Sequence, residues 1–353
     1  MTGSISSCGL HASDTTLGRS VTAFATETAQ RFEEERIRPA LARGRGDRVY
    51  RVVARGGGAL TLGLMGLIGL FLIVRSWKAL RVAGLGFFTR SAWQPSFGHF
   101  GVWSALLGTV LIAVIALVIA VPVAVCTALF VTEYAPPRLR RPLTSFVDVL
   151  AAVPSLIYGL WGRYYLQPRA IHLSRFLGSH FGFIPFFHTK DAQTIASYPA
   201  STFIAGLVVA LMIVPICTAV MREVFSQAPV GEKEGALALG GTKLGVVRTV
   251  ILPFGKGGII GGSMLGLGRA LGETIAVTLI ISPVFDPHSL THVLQTGGNS
   301  IASLIALRFS ESNEFGISAL MAAGLTLFVI TLVVNAFASV VVSRSRSGAA
   351  TEI

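Results

Sequence analysis

The sequence predicts an all-α membrane protein with six transmembrane helices, and three observations support this. Of its 353 residues, 52% are hydrophobic and 13% are charged, whereas a soluble domain has about 25% charged residues. Six apolar segments each approach or exceed the ~20 residues that cross a bilayer core of ~30 Å. The basic residues flank these segments and do not cluster with aromatic residues. The net charge of +12 therefore indicates membrane topology and not nucleic-acid binding.

Four regions follow from this pattern. Residues 1–55 hold nine basic and six acidic residues and are predicted to be a cytoplasmic, partly disordered N-terminal tail. Residues 56–99 carry a peripheral first helix and an outer loop. Residues 100–342 form the membrane core, and residues 343–353 form a C-terminal tail.

The predicted spans differ in how regular they are. The third is interrupted by Asp148 and Pro154, and the sixth holds one strongly polar side chain, Asn335. The six spans cover 56–74, 102–131, 143–162, 200–221, 257–281 and 315–342.

The distribution of basic residues predicts the orientation. With the N-terminus inside, the inner segments hold 19 Lys and Arg and the outer segments hold 9. Cytoplasmic loops carry the excess of positive charge in membrane proteins. We therefore expect a multi-pass protein of the cell (inner) membrane with both termini in the cytoplasm.

The inner loop between spans four and five is too regular for a simple connector. Its sequence predicts a helix over 232–239, a sharp turn at Gly240-Gly241, and a second helix capped by Thr242. That second helix is expected to end near Pro253. Two short helices joined by a glycine turn would form a compact knob beneath the membrane.

This loop resembles the EAA motif of ABC-importer permeases, E-A-A-x3-G-x9-I-x-L-P. The positions that carry the resemblance are Glu234, Gly235, Ala236, Gly240, Val250, Ile251, Leu252 and Pro253, with Gly235 and Val250 as conservative departures. The resemblance implies that residues 229–253 are a coupling loop that docks on an ATPase. Small residues would let its backbone approach the partner closely, and Glu234 would meet a basic side chain there.

The chain carries no phosphate-binding loop of its own. "GGTK" at 240–243 lacks the glycine before lysine and the Ser/Thr after it, and "GLGRALG" is not G-x-G-x-x-G. We therefore expect a permease subunit that is not an enzyme, with no cofactor or metal in this chain. ATP and Mg would be bound by a partner ATPase.

Two charges lie inside the fifth span. From residue 257 to 285, Arg269 and Glu273 are the only charged residues. Arg269 is thirteen residues past Lys256, or ~20 Å along a helix, and Glu273 is expected one turn further on the same face. Residue chemistry leaves two interpretations open: a structural ion pair, or a binding or gating element for an anion.

Small residues recur at four-residue spacing around these charges. Gly262 with Gly266, and Gly268 with Gly272, would allow close approach of a neighbouring helix. The pattern predicts that this segment packs at a subunit interface and not against lipid.

Three segments resemble the C-type permeases of phosphate-specific transport (Pst) ABC importers. They are "MLGLGRALGETIAV" (264–277), "VPSLIYGLWG" (153–162) and "EYAPPRLRRP" (133–142). With the EAA-like loop, the similarity covers roughly residues 100–342 and implies the type-I ABC importer (MetI-like) fold. After "GLWG" the chain departs from the family's apolar run with Arg163, which would be an interfacial anchor or a positive charge at the outer mouth.

The resemblance also implies functional residues. Arg269 and Glu273 would be the charged pair needed for phosphate translocation, with Thr274 beside them on the substrate path. The family's third-span motif corresponds to Pro154, Ser155, Gly159, Trp161 and Gly162.

The implied partners are an A-type permease subunit, two copies of an ABC ATPase, an extracytoplasmic phosphate-binding protein and the lipid bilayer. Two alternatives remain at this stage. The first is a permease for sulfate, molybdate or another oxyanion, because span five would need a cation in either case. The second is a proton-coupled secondary carrier using Glu273. Such carriers often show an internal repeat, and none is found in this sequence. That alternative also leaves the EAA-like loop unexplained.

Overall fold

The computed structural model describes residues 45–184, 187, 198–282 and 293–345. In these ranges five helices are long and apolar enough to cross a membrane, and one bent pair of helices passes the same test as a sixth span. The predicted number of spans agrees with this. The predicted N-terminal tail up to residue 44 and the C-terminal tail from residue 346 lie outside the described residues.

The described part is almost entirely helical, with one two-stranded antiparallel hairpin, β1 (Trp93–Gln94) and β2 (His99–Phe100). In chain order the α-helices are α1 (Arg45–Ala83), α2 (Trp103–Leu129), α3 (Pro137–Ala152), α4 (Ser155–Trp161), α5 (Gln167–His180), α6 (Thr202–Ser226), α7 (Val230–Ala238), α8 (Lys243–Val246), α9 (Leu252–Leu271), α10 (Ile275–Ile280), α11 (Ile301–Arg308) and α12 (Glu314–Ser345). Single π-helical turns continue α2 (Phe130–Tyr134) and α4 (Gly162–Leu166) and join α8 to α9 (Val247–Ile251).

The first helix is longer than predicted. It begins at Arg45 and ends at Ala83, whereas the apolar segment covers only 56–74. Hydropathy locates the apolar stretch, but arginine is also a good helix former. The helix therefore continues into the charged flank that was assigned to the tail.

The third span is broken at Pro154, where the sequence predicts an interruption, whereas Asp148 lies within the helix α3. α3 and the helical segment Ser155–His180 are bent by 89° at a short break. Val153 adopts an extended backbone (φ −62°, ψ 129°) immediately before Pro154, because the proline ring disfavours helical geometry at the preceding residue. The break therefore separates the "VPSLIYGLWG" segment from α3.

The core consists of α2, α6 and α9 packed closely together. Along α2, the side chains of Ala113, Ala116, Ala120 and Ala124 are at most 1% exposed, and their spacing of three to four residues places them on one face. A Cβ added to Gly206 on α6 would lie 2.7 Å from Ile115 Cγ2. Small residues therefore let these helices approach at backbone distance, as in other membrane helix pairs.

A second, smaller cluster lies at the Trp103 end of α2. Phe87 and Phe100 are fully buried there with ring centroids 6.0 Å apart, and Phe100 meets Phe315 edge-on at 5.6 Å. These aromatic contacts hold the β1–β2 hairpin against the start of α12.

Candidate functional site

Arg269 lies in the last turn of α9 and its side chain is exposed in the isolated chain. It is thirteen residues past Lys256, which corresponds to ~20 Å of helix. A guanidinium at this depth costs about 2.5–3.5 kcal/mol or more against lipid. Its side chain is therefore suited to a polar path or to a partner subunit.

The expected position of Glu273 is wrong. α9 ends at Leu271 and a new helix, α10, begins at Ile275, so Glu273 does not continue the helical face of Arg269. Its side chain is buried (8% exposed), and its Oε1 accepts a hydrogen bond from the Ala276 backbone N–H at 3.1 Å. In the described part of the chain, no ion pair joins Arg269 to Glu273.

This break follows from local chemistry. Gly272 stands at the end of α9, and the hydroxyl of Thr274 donates to the Gly272 carbonyl at 3.2 Å. The carboxylate of Glu273 then satisfies a free N–H of the next helix, as capping side chains do. Glu273 therefore stabilises the start of α10, just after the break that follows Arg269.

The third-span motif packs directly against this break. A Cβ added to Gly159 on α4 would lie 2.8 Å from the Cα of Ala276, and one added to Gly162 would lie 2.6 Å from Val208 Cγ2. Two of the three segments that carry the family resemblance, 153–162 and 264–277, therefore meet at a glycine contact. The hydroxyl of Tyr158 on α4 donates to the Leu150 carbonyl of α3 at 2.9 Å, across the break at Pro154.

The remaining residues of that motif shape α4. Pro154 precedes the helix with an extended backbone, and Ser155 is its first residue. Trp161 is 43% exposed and stacks on Tyr165 with ring centroids 5.4 Å apart. Arg163 lies in the π-helical turn that follows.

The glycines of α9 pack against different helices. A Cβ on Gly266 would lie 2.6 Å from Cys217 Sγ, and one on Gly262 would lie 3.2 Å from the Cys217 carbonyl oxygen. This pair therefore packs on α6 of the same chain, whereas a subunit interface was expected. Gly268 borders Asn335 of α12, and Gly272 is exposed at the helix end.

The inner loop forms the knob that the sequence predicts. α7 covers Val230–Ala238, Gly240 turns the chain with φ +84°, and the Thr242 hydroxyl accepts a hydrogen bond from the Gly245 N–H at 3.1 Å. The predicted helix end near Pro253 is wrong, since the helix continues from Lys243 to Leu271. The π-helical turn Val247–Ile251 precedes Leu252 and puts Pro253 at the start of α9, where a missing N–H is tolerated.

The EAA-like residues on α7 present a free surface. Glu234 is exposed, and a Cβ on Gly235 would meet no atom within 4 Å. Ala236 is half-buried against the core, whereas Leu239 is 92% exposed. The small residue at Gly235 is therefore not required by packing within this chain.

Sequence reasoning missed two ion pairs that tie the knob and span four to their neighbours. Lys233 Nζ lies 2.8 Å from Glu133 Oε1, and Arg222 Nη2 lies 3.5 Å from Asp148 Oδ1. The pairs join residues 100 and 74 positions apart, so no local spacing signals them. Among the described residues, no group of three His, Cys, Asp or Glu side chains is placed to hold a metal ion.

Comparison with known proteins agrees with this arrangement. Residues 120–347 match the family model described as "binding-protein-dependent transport system inner membrane component". The chain belongs to this family. It is therefore an inner-membrane transport component with several membrane-spanning helices, and its family membership bears out the permease prediction.

Curated relatives of this permease cover most of its length. Phosphate transport system permease protein PstC 2 of Mycobacterium tuberculosis (strain ATCC 25618 / H37Rv) is 42% identical over 316 residues, 88% of this chain and 95% of the relative. PstC of Pasteurella multocida (strain Pm70) is 41% identical over 274 residues, 77% of this chain and 84% of the relative. The predicted resemblance to C-type permeases is confirmed.

A solved structure supports the fold. A chain of a bacterial ABC transporter involved in the import of the acidic polysaccharide alginate aligns with a TM-score of 0.51 at 17% identity, covering 84% of this permease and 99% of that chain. The predicted ABC-importer permease fold is therefore confirmed.

Proposed function

We propose that this permease is the channel-forming C-type subunit of an ATP-driven importer of inorganic phosphate. The observation that carries the proposal is the exposed Arg269 guanidinium at mid-span, in the segment 264–277 that packs through Ala276 against Gly159 of the segment 153–162. A guanidinium offers a planar fork of donors that suits a tetrahedral oxyanion. The names of the curated relatives favour phosphate over sulfate or molybdate.

In this proposal the chain works with an A-type permease, two copies of an ABC ATPase and an extracytoplasmic phosphate-binding protein. The two permeases enclose the substrate path, and Arg269 faces it. Both termini and the 229–253 loop are cytoplasmic, in keeping with 19 basic residues on that side against 9 on the other. ATP and Mg are bound by the ATPase subunits alone.

Transport proceeds by alternating access. Closure of the ATPase dimer on ATP moves α7, which docks through Glu234, Gly235 and the exposed Leu239. The displacement passes into α9 because the helix is continuous from Lys243 to Leu271. Arg269 at its far end is thereby reoriented toward the binding protein, and hydrolysis returns it.

The roles at the break differ between its two charged residues. Arg269 supplies the attraction for the anion. Glu273 is buried and holds the start of α10, so it fixes the backbone that positions Arg269 and Thr274. A proton-coupled carrier using Glu273 is not favoured, because the family to which the chain belongs depends on a binding protein.

Reconstitution tests the proposal directly. The chain is assembled in liposomes with its partner permease, ATPase and binding protein, and ATP-dependent uptake of radiolabelled phosphate, sulfate and molybdate is compared. We expect phosphate uptake that requires both ATP and the binding protein. Uptake of sulfate or molybdate without phosphate would overturn the substrate assignment.

A further inference from the structure

Asn335 stands out on α12 because its carboxamide lies inside a membrane span. The residue is 21 positions past Glu314, where α12 begins, and nine positions before Arg344, or ~14 Å from that arginine along the helix. Its side chain is exposed in the isolated chain, between the exposed Val333 and Phe337. A strongly polar side chain at this depth is unfavourable against lipid and usually faces a cavity or a partner.

The other polar side chains of α12 near this position form hydrogen bonds to the backbone of their own helix. The hydroxyls of Thr326, Thr331 and Ser339 donate to the backbone carbonyls of Ala322, Leu327 and Ala336, each at 2.9 Å. In the part of the chain that the structure describes, the Asn335 carboxamide makes no such hydrogen bond. Its two N–H donors and its carbonyl acceptor are therefore available to a group from outside the chain.

Asn335 also lies close to the turn of α9 that carries Arg269. Its Oδ1 is 3.7 Å from the position that a Cβ on Gly268 would occupy, and Gly268 immediately precedes Arg269. Both Arg269 and Asn335 are exposed. The absence of a side chain at Gly268 lets Asn335 of α12 lie against the turn of α9 that carries Arg269.

We propose that Asn335 is a second substrate-contacting residue, which hydrogen-bonds the oxyanion beside Arg269 on the translocation path. The inference rests on the proposed function and adds a determinant of substrate class. Arginine only donates hydrogen bonds, whereas a carboxamide both donates and accepts. An oxyanion that keeps a proton at neutral pH, such as hydrogen phosphate, can donate a hydrogen bond to the Asn335 carbonyl. The fully deprotonated sulfate has no proton to donate and leaves this carbonyl unpaired.

The test uses the full complex in proteoliposomes, with phosphate moved per ATP hydrolysed as the main measurement. Asn335→Leu removes the polar groups at similar size and is expected to lower this ratio at least ~10-fold, the scale of one lost hydrogen bond to a charged group. Binding-protein-stimulated ATPase activity should persist. Asn335→Gln keeps the donor and the acceptor and should recover part of the ratio. Phe337→Leu is the matched control, because Phe337 lies two positions further along the helix and is 69% exposed.

Two outcomes overturn the inference. One is an Asn335→Leu complex that transports like the wild type. The other is a loss of complex yield in which uptake and ATPase activity fall together, which would make Asn335 a structural contact to the partner permease. If the Asn335→Leu complex does not assemble, Asn335→Asp decides the question. If Asn335 contacts the substrate, this variant should assemble and hydrolyse ATP without phosphate uptake, because the new negative charge repels the anion. Retained uptake overturns the inference.

The proposed function fails in a different way. A wild-type complex that moves no phosphate contradicts the proposed function, whereas an Arg269→Gln complex with normal phosphate uptake contradicts the role of Arg269. Loss of uptake in Arg269→Gln together with wild-type transport in Asn335→Leu contradicts only the role of Asn335.

Discussion

Lys233 on α7 and Glu133, in the π-helical turn that continues α2, form an ion pair with Nζ and Oε1 2.8 Å apart. The two side chains are 20% and 21% exposed, so solvent screens the pair less than it screens a surface pair. The pair joins the EAA-like helix to one of the three core helices. It gives the proposed coupling loop a second attachment to the membrane core, besides the continuous helix that leads to Arg269.

Charge reversal tests whether this attachment transmits motion. Glu133→Lys or Lys233→Glu alone places like charges opposite each other and should lower phosphate uptake per ATP several-fold, and the double variant should restore it. The matched control is the exchange of Arg308 and Glu311, an exposed pair with its atoms 3.2 Å apart, which should change nothing because exposed pairs contribute about 0–1 kcal/mol. Additive losses in the double variant would contradict a role for the pair.

Arg269 is predicted to be required for uptake. Arg269→Gln removes the charge at similar length and should lower ATP-dependent phosphate uptake by about 100-fold, since a hydrogen bond to a charged group contributes about 1.5–3 kcal/mol beyond any loss of steering. Arg269→Lys should keep partial uptake because the charge stays but the planar fork is lost. Undiminished uptake by the glutamine variant would remove Arg269 from the substrate path.

Glu273 is predicted to act through the backbone. Glu273→Gln keeps an oxygen that can accept from the Ala276 N–H, so thermal stability should stay near that of the wild type. Glu273→Ala removes the acceptor and should cost about 0.5–2 kcal/mol, the range of a lost cap, measured as a lower Tm in detergent. Equal stability of the two variants would show that the hydrogen bond to Ala276 contributes nothing.

The contact between Gly159 and Ala276 should tolerate no side chain. Gly159→Ala places a Cβ 2.8 Å from a backbone atom, and such overpacking costs typically 1–3 kcal/mol. Gly261→Ala is the control, because that helical glycine has no atom within 4 Å of its added Cβ, and alanine favours a helix over glycine. We expect a lower Tm only for Gly159→Ala, and the same shift in both variants would contradict the packing argument.

The surface of α7 is predicted to dock on the ATPase. Gly235→Leu should leave the fold intact, since its side chain enters open space in this chain, yet it should prevent ATPase assembly, measured by co-purification. Glu234→Lys should uncouple ATP hydrolysis from uptake. Glu232→Lys serves as the charge-matched control, because Glu232 is two positions away and points to another side of the helix; equal defects at both positions would argue against a specific contact through Glu234.

Sequence reasoning succeeded where the signal is local or periodic. The apolar segments predicted six spans, and the loop chemistry predicted α7, the turn at Gly240 and the cap at Thr242. It located the interruption of the third span at Pro154 but not the 89° bend there. It missed the break after Leu271, because hydropathy reads the apolar residues before and after Gly272 as one continuous span.

The sequence by itself determined the class of protein, its spans, its family and the presence of two charged residues, Arg269 and Glu273, within one span, because composition, periodicity and motif spacing are properties of the chain alone. Only the tertiary structure decided what those residues touch. It separated Glu273 from Arg269, paired Gly159 with Ala276, paired Lys233 with Glu133, and placed Asn335 beside Gly268. These contacts arise where helices distant in sequence pack at backbone distance, and no spacing within one helix encodes which neighbour arrives there.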